Sequence, residues 1–172
     1  MIPNTQSHCE IDVATLGHHH PVRAFATYWR ERELAGKVPA RSSINPGEIT
    51  SILPWMLVLE ILRFETATEY RYRLAGTGCT EIFGVDYTGK MLGECMTQEG
   101  YEIRRQEFAR VLENRQPIIS TTTLPIKSRE FMIVHRGVFP IRASGEEIDQ
   151  LFVIVAPATA ISASPGLAHT AS

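Results

Sequence analysis

Residues 70–90 read YRYRLAGTGCTEIFGVDYTGK, and the fold turns on what the paired glycines Gly76 and Gly78 do. Side chains alternate across YRYRL, Tyr70, Tyr72 and Leu74 pointing one way and Arg71 and Arg73 the other, as in a strand with one wet face. The glycine pair then leads into a short helical piece, CTEIF. Dinucleotide-binding loops begin in the same manner, but they need G-x-G-x-x-G, with the third glycine allowing close helix–strand packing. Glu81 occupies that third position, and no GK[ST] follows as a Walker loop requires. The strand also belongs to a hairpin, not to a parallel β-α-β unit. The glycines are therefore expected to form a tight strand-to-helix turn, not a phosphate cradle.

Upstream, WMLVLEILRF (55–64) is rich in β-forming residues and reaches YRYRL through ETATE, which predicts an antiparallel hairpin. Before it, VRAFATYWRERELAGK spaces Val22, Phe25 and Trp29 about one helical turn apart and predicts an amphipathic helix ending near Gly36. Downstream, Tyr101, Arg104, Phe108, Val111 and Leu112 follow helical spacing until Pro117 stops the helix. Strand signals follow at 117–126, 129–142 and 149–158, with connections short enough for hairpins. This order predicts an α+β fold: one antiparallel sheet with helices gathered on one face, plus the N-terminal amphipathic helix. Residues 1–20 are polar and read as a flexible tail, 21–158 as one domain, and the Ala- and Ser-rich 159–172 as a disordered tail.

Charge and hydropathy narrow the function classes. The 172 residues are 44% hydrophobic and 21% charged, enough for one well-filled core. Lys and Arg total 17 against 19 Asp and Glu, a formal net charge of −2 that gives no overall footprint for nucleic acid or an anionic membrane. The longest uncharged apolar run, Ser51 to Leu59, is far short of the ~20 residues of a membrane span. The N-terminus lacks the basic and apolar regions of a signal peptide. Cys9, Cys79 and Cys95 have no CxxC spacing and read as reduced thiols of a cytoplasmic protein.

The quoted stretch resembles the segment of PAS domains in which the second strand enters the short helices. FGVDYTGKML (83–92) resembles the PAS pattern of a glycine, an acidic residue, a second glycine and a hydrophobic pair. YWRERELAGKVPARSSINPGEITSILPWMLVLEI (28–61) is similar to the N-terminal part of a PAS subfamily seen in alphaproteobacteria, and the whole likeness spans residues 22–157. It implies a five-stranded antiparallel sheet flanked by helices. The family's general roles are sensing small molecules or cofactors and mediating protein contacts. The chain is expected to be a stand-alone bacterial sensory or adaptor domain, not an enzyme, that binds a small molecule and/or a protein partner, or dimerises, to transmit a signal in trans. Gly84 and Gly89 would supply unusual backbone angles within the short helices, and Asp86 would cap the turn that follows it.

Tyr72, Leu74, Phe83, Met91, Met96, Phe108, His135 and Phe152 are the candidates to line a ligand pocket, and the same residues serve equally to fill a solid core. Phe25, Tyr28 and Trp29 are candidates for a partner or homodimer interface on the N-terminal helix. Packing of that helix on its own sheet accounts for them as well. Alternation along EFMIVHRGVFP puts Phe131, Ile133, His135 and Gly137 on one face, and His135 enters the pocket if that face looks inward.

Haem and flavin are both disfavoured. Residues 79–116 hold no histidine where haem-binding PAS domains usually take one, and neither TGCTEIF nor GECMTQ resembles the NCRFLQ of flavin-binding photosensory relatives. His18–His20 has no spaced partner ligands and reads as an exposed run without a metal site. Arg104, Arg105, Arg110 and Arg115, interleaved with glutamates, read as a solvated, salt-bridged helix face. The competing class is a small isomerase- or hydratase-type enzyme on a cone-shaped α+β fold, using His135 and Asp149.

Overall fold

The computed structural model describes residues 8–125, 131–143 and 145–162. Within them the chain runs β1 (His8–Glu10), α1 (Pro21–Arg32), β2 (Met56–Arg63), β3 (Thr68–Ala75), α2 (Thr77–Phe83), α3 (Gln98–Asn114), β4 (Ile118–Pro125), β5 (Phe131–Ile141) and β6 (Gln150–Pro157). The strands form one antiparallel sheet in the order β1-β4-β5-β6-β2-β3.

The α+β class is as expected, but the five expected strands become six because residues 8–10 pair with β4, Cys9 opposite Thr121. Residues 8–20 are thus built into the domain and are not a tail. Ile11 N donates to Ile119 O at 3.0 Å, and His20 is buried where an exposed histidine run was expected. At the other end Ser162 is buried and donates to His19 O through both its amide and its hydroxyl. Residues 1–7 and 163–172 of the two expected tails lie outside the described residues.

Residues directly opposite on antiparallel neighbours share a face, which sorts the sheet into two sides. Leu57, Leu59, Tyr72, Arg136, Val153 and Val155 look toward α2 and α3, while Val58, Phe139, Phe152 and Ile154 look toward α1. Helix α1 therefore lies on the opposite face from the other two helices. Strand β6 is buried continuously from Leu151 to Ala156 because both its faces are covered, which explains a hydrophobic run without alternation.

Helix α1 starts where His20 Nδ1 accepts from Val22 N at 3.2 Å and Pro21 takes the first helical position. Phe25 and Trp29, both fully buried, press on the sheet; the Phe25 and Phe139 rings meet edge-on with centroids 4.8 Å apart. Burying each such side chain contributes roughly 1.5–3 kcal/mol. The helix ends at Arg32, ahead of the expected Gly36, because Ala35 and Gly36 take positive φ angles of 52° and 71° in a turn closed by Lys37 N donating to Leu34 O.

Two local features position the interior. The register of β2 against β3 shifts between Val58 and Leu59: Val58 faces Leu74 but Leu59 faces Tyr72, which leaves Arg73 as the extra residue of a bulge. At the glycine pair, a Cβ on Gly76 would lie 2.3 Å from Leu53 O, and one on Gly78 would lie 2.7 Å from the Trp55 ring. The glycines let α2 begin directly against the Leu53–Trp55 turn, as the tight-turn reading expects.

Candidate functional site

A cavity of about 310 Å³ lies between the sheet and α2, α3 and the 84–97 connection. That volume falls at the lower end of small-molecule sites, which run from about 300 to 1,000 Å³. Leu57, Leu59, Tyr72, Val153 and Val155 line it from the sheet, Phe83 from α2, Met96 from the connection and Phe108 from α3. The Phe108 ring is itself held edge-on against Tyr70, with centroids 5.0 Å apart.

The connection that roofs the cavity is shaped by local chemistry. Gly84 and Gly89 take φ angles of 73° and 83°, as expected of them, and Asp86 Oδ1 accepts from Thr88 N at 2.9 Å. Lys90 O and Gly89 N then pair with the backbone of Tyr72, tying the connection to the edge of β3. Thr97 Oγ1 accepts from Gly100 N at 3.2 Å and so starts α3 at the rim of the cavity.

One part of the lining is charged. Arg136 from β5 and Arg104 from α3 both border the cavity. Arg136 Nη1 donates to Glu107 Oε1, and Arg104 Nη1 reaches the same oxygen at 3.4 Å. His8 Nε2 lies 3.5 Å from the other oxygen, Oε2. Arg104 and Glu107 are one helical turn apart, so α3 presents both to the same interior. Burial pushes the Glu107 carboxyl up, but Arg136 and Arg104 together outweigh it and hold the group below its usual range. Burial, and then repulsion from Arg136, draw the Arg104 guanidinium down to about 10, which leaves it cationic at neutral pH. Burial lowers His8 and keeps it neutral there.

Four of the eight expected pocket residues line this cavity: Tyr72, Phe83, Met96 and Phe108. The other four do not. Leu74 is turned to the opposite face by the bulge at Arg73 and is 47% exposed. Met91 bridges Arg71 outside the cavity. Phe152 and His135 lie on the α1 side, Phe152 stacked on Phe25 and His135 beside His20 with ring centroids 5.0 Å apart. The side chains of β5 alternate as expected, but the inward face carries Val134 and Arg136.

Arg104 is a correction too: its side chain is 13% exposed and does not belong to a solvated helix face. Phe25, Tyr28 and Trp29, expected as interface candidates, do not lie on the open surface of α1. They are buried in the chain's own core, and Trp29 Nε1 donates to Pro140 O at 2.9 Å.

His135 and Asp149 are not brought together. His135 pairs with Thr121 through Nδ1, whereas Asp149 caps the β5–β6 turn by accepting from Ala143 N. Six residues of β5 separate the level of His135 from that end of the strand, about 20 Å at 3.3 Å per residue. Cys79 is buried and its thiol is pushed up to about 12, while Cys95 borders the cavity with its thiol also raised by burial.

A sheet with this strand order, a helix-roofed interior cavity and the sequence pattern of residues 70–92 all point to one family. The model described as "PAS domain" matches residues 17–152, well over half of the chain. The protein belongs to the PAS family. As a PAS domain it is of the sensory kind. A search of the curated proteins finds no match. Among solved structures, it is similar to one described as an RNA-binding Light-Oxygen-Voltage receptor, at 12% identity and a TM-score of 0.45, over 86% of this chain. The PAS chain spans 46% of that receptor's length. Among the described residues, no helix of the PAS domain is long and apolar enough to cross a membrane, and no cluster of His, Cys, Asp or Glu is arranged to hold a metal ion.

Proposed function

We propose that this PAS domain is a cytoplasmic, non-enzymatic sensor that holds a small organic molecule in the cavity between its sheet and α2 and α3. The observation that carries this reading is the cavity itself, about 310 Å³ with apolar walls and two arginines at its edge. A few polar groups set into an apolar concavity is the usual composition of a small-molecule site.

Occupancy of the cavity has a route to the outer surface. Val153 and Val155 border the cavity, while Phe152 and Ile154, which alternate with them, face the α1 side. A ligand that shifts β6 is felt by α1 within one strand thickness, and a partner or a second copy reads the change there in trans. The exposed side of α1 would serve for this contact, since Phe25, Tyr28 and Trp29 are committed to the core.

Native mass spectrometry of protein purified from its own host tests the reading. An excess over the 19.3 kDa chain that is lost on denaturation is expected. A bare chain, together with no thermal shift across a library of small metabolites, would overturn it.

A further inference from the structure

The charged part of the cavity does not balance. Arg136 and Arg104 bring two guanidinium groups to the lining, against the single carboxylate of Glu107. Both arginines reach the same Glu107 oxygen through Nη1, and Arg104 Nη1 also lies 3.5 Å from His8 Nδ1. The side chains of Arg136 and Arg104 are only 8% and 13% exposed, so water screens the surplus charge weakly. Two buried atoms beside them, Glu107 Oε2 and Ser120 Oγ, have no hydrogen-bond partner among the described residues, although His8 Nε2 lies 3.5 Å from the former, and Ser120 stands directly opposite Arg136 across β4 and β5. A simple structural ion pair between β5 and α3 needs one arginine for one carboxylate. The second arginine is in excess.

We infer that the ligand is a monoanionic amphiphile, a carboxylic acid with an aliphatic or aromatic body, whose carboxylate is held by Arg104 and Arg136. The inference rests on the cavity being the sensory site. Planar guanidinium edges match a carboxylate in two-point fashion, and such charge-assisted bonds are among the stronger ones available to a protein. The charge count favours one negative charge over two: a phosphate monoester carries about −1.5 to −2 near neutral pH, and no third cation lines the cavity among the described residues. The body of the acid would lie on the apolar lining, Leu57, Leu59, Val153 and Phe108.

Titration calorimetry with octanoate, 1-octanol and octylamine tests this on the full chain. Octanoate is expected to bind at least about ten-fold tighter than 1-octanol, the factor a single charge-assisted hydrogen bond supplies, with octylamine weaker than either. Arg104→Met leaves the Arg136–Glu107 pair intact and is expected to cost octanoate about ten-fold while leaving 1-octanol unchanged. The double variant Arg136→Met with Glu107→Leu removes both charges of that pair together, which keeps the fold in reach; it is expected to show the same selective loss. Equal affinity for octanoate and 1-octanol, or no selective loss in the variants, overturns the anion assignment while leaving the cavity reading in place. Binding of none of the three also overturns the assignment, and the native mass spectrum then decides separately whether the cavity holds a ligand.

Discussion

Glu107 on α3 accepts a hydrogen bond from Arg136 on β5, and the same oxygen is approached by Arg104 one turn earlier on the helix. This carboxylate is what keeps two nearly buried guanidinium groups compatible with the core. Removing it leaves like charges facing each other with little water to screen them. Glu107→Ala is therefore expected to destabilise the domain by about 3–5 kcal/mol. Glu107→Gln, which keeps an acceptor oxygen but not the charge, should cost less. Urea denaturation measures both, and an Ala variant within about 1 kcal/mol of wild type, the worth of a surface pair, would show that the three groups are not coupled.

Stability should also fall on mild acidification, through the histidines. His20 Nδ1 accepts from Val22 N at the start of α1, and Nε2 lies 2.9 Å from Pro157 O, so the ring works as the neutral tautomer with its proton on Nε2. Burial lowers its pKa below 6.5, against the raising effect of Pro157 O, and burial lowers His8 and His135 as well. The unfolded chain thus takes up protons first as pH falls below about 6.5, and stability present above that value is lost. Glu107 is depressed and acts in a lower window, with its contribution lost below about 4.5. Melting temperature is expected to drop between about pH 7 and pH 5, and His20→Asn, which retains a capping side chain, should flatten that slope. An unchanged slope in the variant would rule out His20 as a contributor.

How far the site is legible in the sequence depends on which interaction places each residue. Tyr72 and Phe108 follow from strand alternation and helical spacing, both local patterns. Leu74 does not, because the bulge at Arg73 arises from pairing with β2 and reverses the face of the strand beyond it. The inward face of β5 is equally hidden. That strand carries apolar residues on both sides, since α1 covers one and the cavity the other, so its hydrophobicity carries no direction. Nothing in the sequence marks Arg136 as a charge facing the interior, and only the fold brings it to Glu107, 29 residues earlier in the chain. Strand β1 is three residues long, too short to show a period, and exists only through its pairing with β4.

Trp29 provides a test of the role of α1. The side chain is fully buried, and its indole N–H donates to the carbonyl of Pro140. Trp29→Ala is expected to cost about 3–5 kcal/mol through the cavity it leaves. Trp29→Phe should cost about 1–3 kcal/mol, chiefly by stranding the Pro140 carbonyl. Light scattering on the folded Phe variant should give the wild-type mass. A change of oligomeric state in a variant of wild-type stability would instead place Trp29 at an interface.

The glycines of the opening stretch separate two reasons for having no side chain. Gly84 has φ of 73°, and a Cβ there would meet nothing within 4 Å, so Gly84→Ala encounters only conformational strain, about 1–2 kcal/mol. Gly76 has an ordinary negative φ of −65°, but a Cβ there would meet the backbone carbonyls of Leu53 and Pro54 at 2.3 and 2.5 Å. Backbone of that kind cannot swing aside like the end of a flexible side chain. Gly76→Ala must displace α2 from the Leu53–Trp55 turn, and with it Phe83 on the cavity wall. It is expected to lower stability by more than Gly84→Ala and to weaken ligand binding, whereas Gly84→Ala should lower stability alone. Thermal melts with and without a bound acid read both effects, and a Gly76→Ala protein that melts and binds like wild type would mean that α2 does not depend on that close approach.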